Sequence, residues 1–202
     1  MGPAPTLPSP LPDAGQTIGR IEVIAGPMFA GKTEELLRRV RRAAIAGRQV
    51  VVISHALDTR AGSERIASHA GLDAPSRAAA SAEEIALAVD DETDIVAIDE
   101  AHFFGPDLVS VVGELAMRGL VVVVAGLDVT FTGEPFEPLP ALMALAERVD
   151  KLTSVCAVCG ADAIYHARVA TTQPADTALV TENVGGLETY QARCRRHFAR
   201  PV

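Results

Sequence analysis

The stretch Gly26-Pro-Met-Phe-Ala-Gly-Lys-Thr33 has the residue types and spacing of a phosphate-binding loop. Gly26 and Gly31 reach backbone torsions closed to residues with a Cβ, so successive N–H groups can turn inward around an anion. Pro27, Met28, Phe29 and Ala30 fill the loop between them. Lys32 carries a compact cation long enough to reach the β- and γ-phosphates, and the Thr33 hydroxyl suits Mg²⁺. The whole reads as a nucleoside triphosphate site rather than a structural glycine turn.

Two further groups of residues have chemistry in them. Asp99-Glu100 closes an apolar run, where a parallel sheet delivers strand ends to a ligand. An Asp there holds Mg²⁺, directly or through water, and the adjacent Glu can take a proton from an attacking hydroxyl. A hydrolase would use that Glu on water and a kinase on a substrate hydroxyl, and the pair alone separates neither from a solvated strand end. Cys156-Ala-Val-Cys159 and Cys194-Arg-Arg-His197 use every Cys of the chain. Two such pairs suit tetrahedral Zn²⁺ with all four positions taken by protein, hence a structural metal. A redox pair or buried free thiols are the alternatives, and His166 is a rival fourth ligand. Arg193, Arg195, Arg196 and Arg200 form either a solvated basic tail or, in a nucleic-acid-binding ribbon, its basic face.

The elements that must position these groups alternate between strand and helix. Ile21 to Ala25 reads as a buried strand. Thr33 to Ala46 reads as a helix with apolar Leu36, Leu37, Val40, Ala43 and Ala44 at helical spacing, so the loop meets a helix N-terminus that favours an anion. Gln49 to Ser54, Asp94 to Asp99 and Leu120 to Ala125 give three more strands. Ser81-Ala-Glu-Glu84 resembles a capping box opening a helix through Val89, and a further helix runs from about Pro106 to Arg118. Residues 55 to 80 have no clear periodicity and read as a long loop. Near-continuous apolar strands call for helices on both faces of a mainly parallel sheet. The expected fold is α/β, P-loop NTPase-like, with a small zinc-binding lobe. Residues 1–18 read as a Pro-rich disordered arm, 19–150 as the nucleotide-binding domain and 151–202 as the zinc lobe.

Composition narrows the possible partners. The net charge of −8 argues against general nucleic-acid binding, which needs basic surface. No run approaches the ~20 apolar residues of a membrane span. The N-terminal residues, rich in Pro, lack a secretory pattern, and three Cys do not make a disulfide framework, so a reducing cytoplasm is expected.

Taken together, the motifs resemble the thymidine kinase family, the type that joins a P-loop domain to a zinc lobe. The matching residues are Gly26 to Thr33, Asp58-Thr59-Arg60, Asp99-Glu-Ala-His-Phe-Phe104, Gly126-Leu-Asp-Val-Thr-Phe131 with Pro135-Phe136, the Cys156–Cys159 pair, and Gly185-Gly-Leu-Glu-Thr-Tyr190 running into Cys194 and His197. The resemblance covers about residues 19 to 198. It implies transfer of the ATP γ-phosphate to the 5′-hydroxyl of thymidine, with deoxyuridine as a second acceptor. It makes Glu100 the catalytic base and Asp99 the Mg²⁺-linked acid, and it sets Asp58, Thr59, Arg60 and His102 with the ATP and Mg²⁺ contacts. Phe131, Tyr190 and the lasso-like stretch Thr181-Glu182-Asn183-Val184-Gly185 become the nucleoside pocket. A homotetramer and feedback inhibition by dTTP are also implied. This sequence departs from the family pattern at His102, Ser54-His55, Ala70 and His166, and residues 171–180 look long. The competing class is a P-loop ATPase or regulator whose zinc lobe binds nucleic acid or a protein partner.

Overall fold

The computed structural model describes residues 18–57, 65–67, 73–168 and 190–199. In chain order its elements are β1 (Arg20–Ala25), α1 (Lys32–Ile45), β2 (Val50–His55), β3 (Arg65–Ala67), β4 (Asp73–Pro75), β5 (Arg77–Ala79), α2 (Ala82–Leu87), β6 (Ile95–Ile98), α3 (Leu108–Met117), β7 (Val121–Gly126), α4 (Leu139–Leu145), β8 (Arg148–Lys151), β9 (Ser154–Val155), β10 (Asp162–Ala163), β11 (Tyr165–Arg168) and β12 (Tyr190–Arg193). A short 3-10 turn, Ala101–Phe103, follows β6.

Six strands form one sheet in the order β5-β2-β6-β7-β1-β8, and every neighbouring pair is parallel. The pleat sends alternate residues to opposite faces, and the core divides accordingly. Val23 and Ala25 of β1, Val96 and Ile98 of β6, and Val122 and Val124 of β7 pack with Ile85 of α2, Leu108, Val112 and Leu115 of α3, and Leu139 and Leu142 of α4. Their neighbours Ile24, Ala97, Val121 and Val123 pack on the other face against Leu36 and Leu37 of α1. Helices therefore cover both faces of an α/β sheet, and β6 and β7 at its centre are apolar throughout because neither face meets water.

The four expected strands and three expected helices are present, with ends shifted by a residue or two. The stretch from 55 to 80, read as a loop, differs. Among its described residues β3 and β4 pair antiparallel, and β5 adds to the sheet beside β2. The capping box is real: the Ser81 hydroxyl accepts from the Glu84 amide at 3.3 Å, and the Glu84 carboxylate accepts from the Ala80 amide at 2.7 Å. Among the described residues no helix is long and apolar enough to cross a membrane.

The outer edge is held by charge. Arg39 of α1, only 10% exposed, donates to Glu22 of β1 at 2.6 Å, to Glu35 at 2.9 Å and to Asp150 of β8. Arg39→Ala would leave Glu22, itself 8% exposed, sharing only the more exposed Arg20. Removing one partner of a buried ion pair costs about 3–5 kcal/mol, and because Arg20 keeps part of the compensation urea denaturation should show a loss toward the lower end of that range.

Candidate active site and metal lobe

The loop after β1 owes its path to two glycines. Gly26 has φ 154 and Gly31 φ 81. A Cβ on Gly26 would lie 2.6 Å from the Leu152 carbonyl oxygen, so close approach adds to the torsional demand. Gly31 is the N-cap of α1, and the loop's last residues enter that helix directly. Lys32 donates from its Nζ to the Pro27 carbonyl at 2.8 Å, lying across the loop it belongs to. Gly26 to Thr33 thus occupy a strand-to-helix turn with the helix amides facing the loop, an arrangement suited to an anion.

The carboxylates stand on the same sheet edge. β7 lies between β1 and β6, and because all three are parallel their C-terminal ends open together. Asp99 is buried at 2% exposure, and its Oδ1 accepts from the Glu100 amide at 3.0 Å. Glu100 itself sits at φ 49, ψ 41, a left-handed conformation that a residue with a Cβ adopts only when its surroundings impose it. The following turn packs on β7: a Cβ on Gly126 would come within 2.9 Å of Leu139 and 3.3 Å of the Ala101 and His102 amides.

His102 is placed by that turn. Its Nδ1 accepts from the Leu127 amide at 3.2 Å, which leaves the proton on Nε2. Nε2 lies 3.5 Å from Glu100 Oε2, so this neutral imidazole faces the carboxylate. Its ring also meets Phe103 at 4.3 Å and Phe136 at 5.1 Å. Beyond β7, Asp128 is 5% exposed and pairs with Lys151 of β8 at 2.7 Å. The loop carrying Phe131 is closed by the Phe136 amide donating to Asp128 at 3.0 Å and the Thr130 amide donating to Glu134 at 2.8 Å. Phe131 is half-buried in it.

Of the expected nucleoside residues, Tyr190 opens β12 and is buried, with His166 of β11 edge-on to its ring at 5.7 Å. His166 is fully buried, and among the described residues neither of its ring nitrogens has a hydrogen-bond partner. Burial, with the positive charge of Lys32 adding to it, holds its pKa down to about 3. Unfolded His titrates near 6.5, so the unfolded chain takes up the proton first as pH falls below that value. The stability is therefore present above about pH 6.5 and is lost toward pH 3. Between pH 7.5 and pH 5 the wild-type chain should lose about 2 kcal/mol more than His166→Phe, read from urea midpoints at the two pH values.

The remaining Cys and His residues converge. Cys156, Cys159, Cys194 and His197 place their ligand atoms within 4.8 Å of one another. Three of these separations are Cys194 Sγ to His197 Nδ1 at 3.3 Å, Cys156 Sγ to the same nitrogen at 3.8 Å, and Cys159 Sγ to Cys194 Sγ at 3.8 Å. Tetrahedral zinc, with Zn–S of about 2.3 Å and Zn–N of about 2.0 Å, requires ligand edges of about 3.5–3.8 Å. The donor set and its spacing thus fit zinc, and the four residues can form its site. The turn is built for it: the Cys156 amide donates to Ala161 at 2.8 Å, the Gly160 amide to Cys156 at 2.9 Å and the His197 amide to Cys194 at 3.0 Å. Backbone N–H groups, that of Cys194 foremost, hold the Cys156 thiol down to about 5, so this ligand is already disposed to be a thiolate. His166, the rival ligand, is not in the cluster.

The lobe contains the β9–β10 and β11–β12 hairpins, joined by the Ala157 amide donating to Ala192 at 3.1 Å. Its basic residues have local work. Arg195 donates to the Tyr165 hydroxyl at 2.9 Å over a ring stacked on Phe198, and Arg193 donates to Gln191 at 2.8 Å. Asp58, Thr59, Arg60 and Thr181 to Gly185, expected at the site, lie outside the described residues. Sequence reasoning missed the Asp128–Lys151 pair, because Lys151 falls in a strand with no apolar run.

A parallel α/β sheet with a phosphate loop ending one strand, a carboxylate pair ending another and a Cys/His lobe alongside defines a protein of the phosphate-loop class. The chain belongs to the thymidine kinase family, whose model, described as thymidine kinase, matches residues 19–198. Membership makes it a kinase, a phosphotransferase for nucleotide and nucleoside substrates.

Proposed function

We propose that this chain is an ATP-dependent thymidine kinase, transferring the ATP γ-phosphate to the 5′-hydroxyl of thymidine, and of deoxyuridine, in deoxynucleotide salvage. The observation that carries the reading is the position of Glu100. It follows β6 on the edge where the phosphate loop follows β1, with His102 Nε2 3.5 Å from its carboxylate. A base in that place can receive the 5′-hydroxyl proton while the phosphoryl group moves from the loop toward the acceptor.

The roles divide by chemistry. The amides from Gly26 to Gly31 cradle phosphates, and Lys32 with Arg60 offsets charge on the transferring group. Thr33 and Asp99 would hold the Mg²⁺ that accompanies ATP, a hard cation suited to hydroxyl and carboxylate oxygens. Asp58 and Thr59 join Arg60 near the phosphates. Phe131, Tyr190 and the stretch Thr181, Glu182, Asn183, Val184 and Gly185 enclose the nucleoside. The ring nitrogens of His166, which have no hydrogen-bond partner among the described residues, favour a polar ligand beside Tyr190, since a buried unpartnered polar group costs about 1–3 kcal/mol.

The reading carries the remaining expectations with it. Residues 19–150 form the nucleotide domain, 151–202 the zinc lobe and nucleoside loop, and 1–18 an arm outside both. The enzyme works in the cytoplasm as a homotetramer, inhibited by dTTP. A coupled ADP-release assay with thymidine, deoxyuridine, deoxycytidine and purine nucleosides tests the central claim. Release that depends on thymidine supports it, whereas release indifferent to every nucleoside would make the chain an ATPase.

A further inference from the structure

Phe29 is the one residue of the phosphate loop with a Cβ and a left-handed backbone, at φ 65. Such a torsion in a bulky residue persists only where contacts impose it. Those contacts come from the metal lobe. The Phe29 side chain packs against the lobe's small core of Cys156, Ala163, Ala192 and Cys194, two of which are metal-ligand residues. Its carbonyl accepts from the Ser154 hydroxyl at 3.2 Å, and Ser154 lies in β9, two residues before Cys156. The loop's entry is tied to the same strand of chain. The Leu152 amide donates to Ala25 at 2.8 Å, and the Leu152 carbonyl closes the space beside Gly26.

We propose that Phe29 is a positioning residue through which the metal lobe holds the phosphate loop in its anion-cradling shape, so that zinc binding and triphosphate binding strengthen each other. The inference rests on the reading of Gly26 to Thr33 as a triphosphate site. With zinc in place, the core under Phe29 is fixed and the left-handed turn is held before any phosphate arrives. Without it, the small core of Cys156, Ala163, Ala192 and Cys194 that Phe29 packs on loses its clamp, and the torsion at Phe29 relaxes toward a conformation whose amides no longer converge. Coupling of this kind is reciprocal in affinity, so the triphosphate must also tighten zinc binding, which a chelator reads as slower loss of the metal.

The test uses the full chain loaded with zinc. Affinity for β,γ-imido-ATP with Mg²⁺ is measured by calorimetry, and zinc release is followed with a chromogenic chelator with and without that analogue. In the wild-type chain the analogue should slow zinc release about 10-fold, within the range of allosteric couplings. Phe29→Ala should keep its zinc, bind the analogue about 10-fold more weakly, and lose the protection to within about 2-fold. Ser154→Ala, which removes only the hydroxyl on the Phe29 carbonyl, should move both readouts in the same direction by about 2–3-fold. It decides the matter if Phe29→Ala does not fold. Analogue binding that leaves zinc release unchanged in the wild-type chain would overturn the coupling alone. No analogue binding at all would overturn the triphosphate reading together with it. Variants that retain both wild-type affinity and wild-type protection would show that Phe29 merely fills space.

Discussion

Glu100→Gln should lower kcat for thymidine by about 10²–10⁴-fold while leaving ATP affinity within a few-fold of wild type. The amide has the size of the carboxylate and the same difficulty with the left-handed torsion at φ 49, so the turn after β6 should survive the change. His102 Nε2, 3.5 Å away in the wild-type chain, can still face an amide oxygen. What the substitution removes is the capacity to take the 5′-hydroxyl proton. The loss therefore belongs in kcat rather than in binding, and steady-state kinetics paired with calorimetry for ATP separate the two. A variant of unchanged kcat would exclude Glu100 as the base, and a variant that only melts earlier would make it a structural residue.

Cys194→Ser should abolish tight zinc binding and unfold the lobe while sparing the sheet. Apparent zinc affinities of small Cys/His sites are worth about 10–16 kcal/mol, and the core around the ligands holds only Ala163 and Ala192 besides Cys156 and Cys194. Cys194 is the informative ligand because it is buried, contacts both Cys159 and His197, and belongs to the core that receives Phe29. Hydrogen exchange reads the outcome by region. The amides of Cys156, Ala157 and Gly160 should lose their protection, whereas those linking β1 to β7 should keep theirs. Uniform loss over the whole chain would show that sheet and lobe form one cooperative unit. Undiminished protection in the lobe would show that it does not need the metal.

Much of the architecture was legible in the residues because the central strands are apolar on both faces. β1, β2, β6 and β7 announce themselves as runs such as Leu120 to Ala125, and the helices between them by capping residues and spacing. The edge strands do not. β8, Arg148-Val-Asp-Lys151, is charged because it pairs on one side only and carries Asp150 to Arg39. β5, Arg77-Ala-Ala79, is short and small for the same reason. α4 escaped because Pro138 and Pro140 flank its first residue, where a proline reads as a break although the first turn of a helix tolerates it.

The site divides the same way. Spacing alone singled out Gly26 to Thr33, which the structure places at a strand-to-helix turn, and the four Cys and His residues that converge, since both are local patterns with a chemical cause. The tie between Phe29 and the lobe joins residues more than a hundred positions apart, and nothing in either segment foretells it. His166 stood out as an unusual residue type and a rival ligand until its burial edge-on to Tyr190 gave it a place.

The strand order has a consequence for width. Ala25 and Ile98 lie on opposite sides of β7, so the phosphate loop and the carboxylate turn leave the sheet two strand spacings apart, about 9.5 Å. Adjacent strands would have left about 4.8 Å, too narrow for a phosphoryl group in flight with its cation on one side and an incoming hydroxyl on the other. β7 is the gauge that sets this gap. Because Gly126 ends it without a side chain, Leu139 and the Ala101–His102 turn can pack directly against its end.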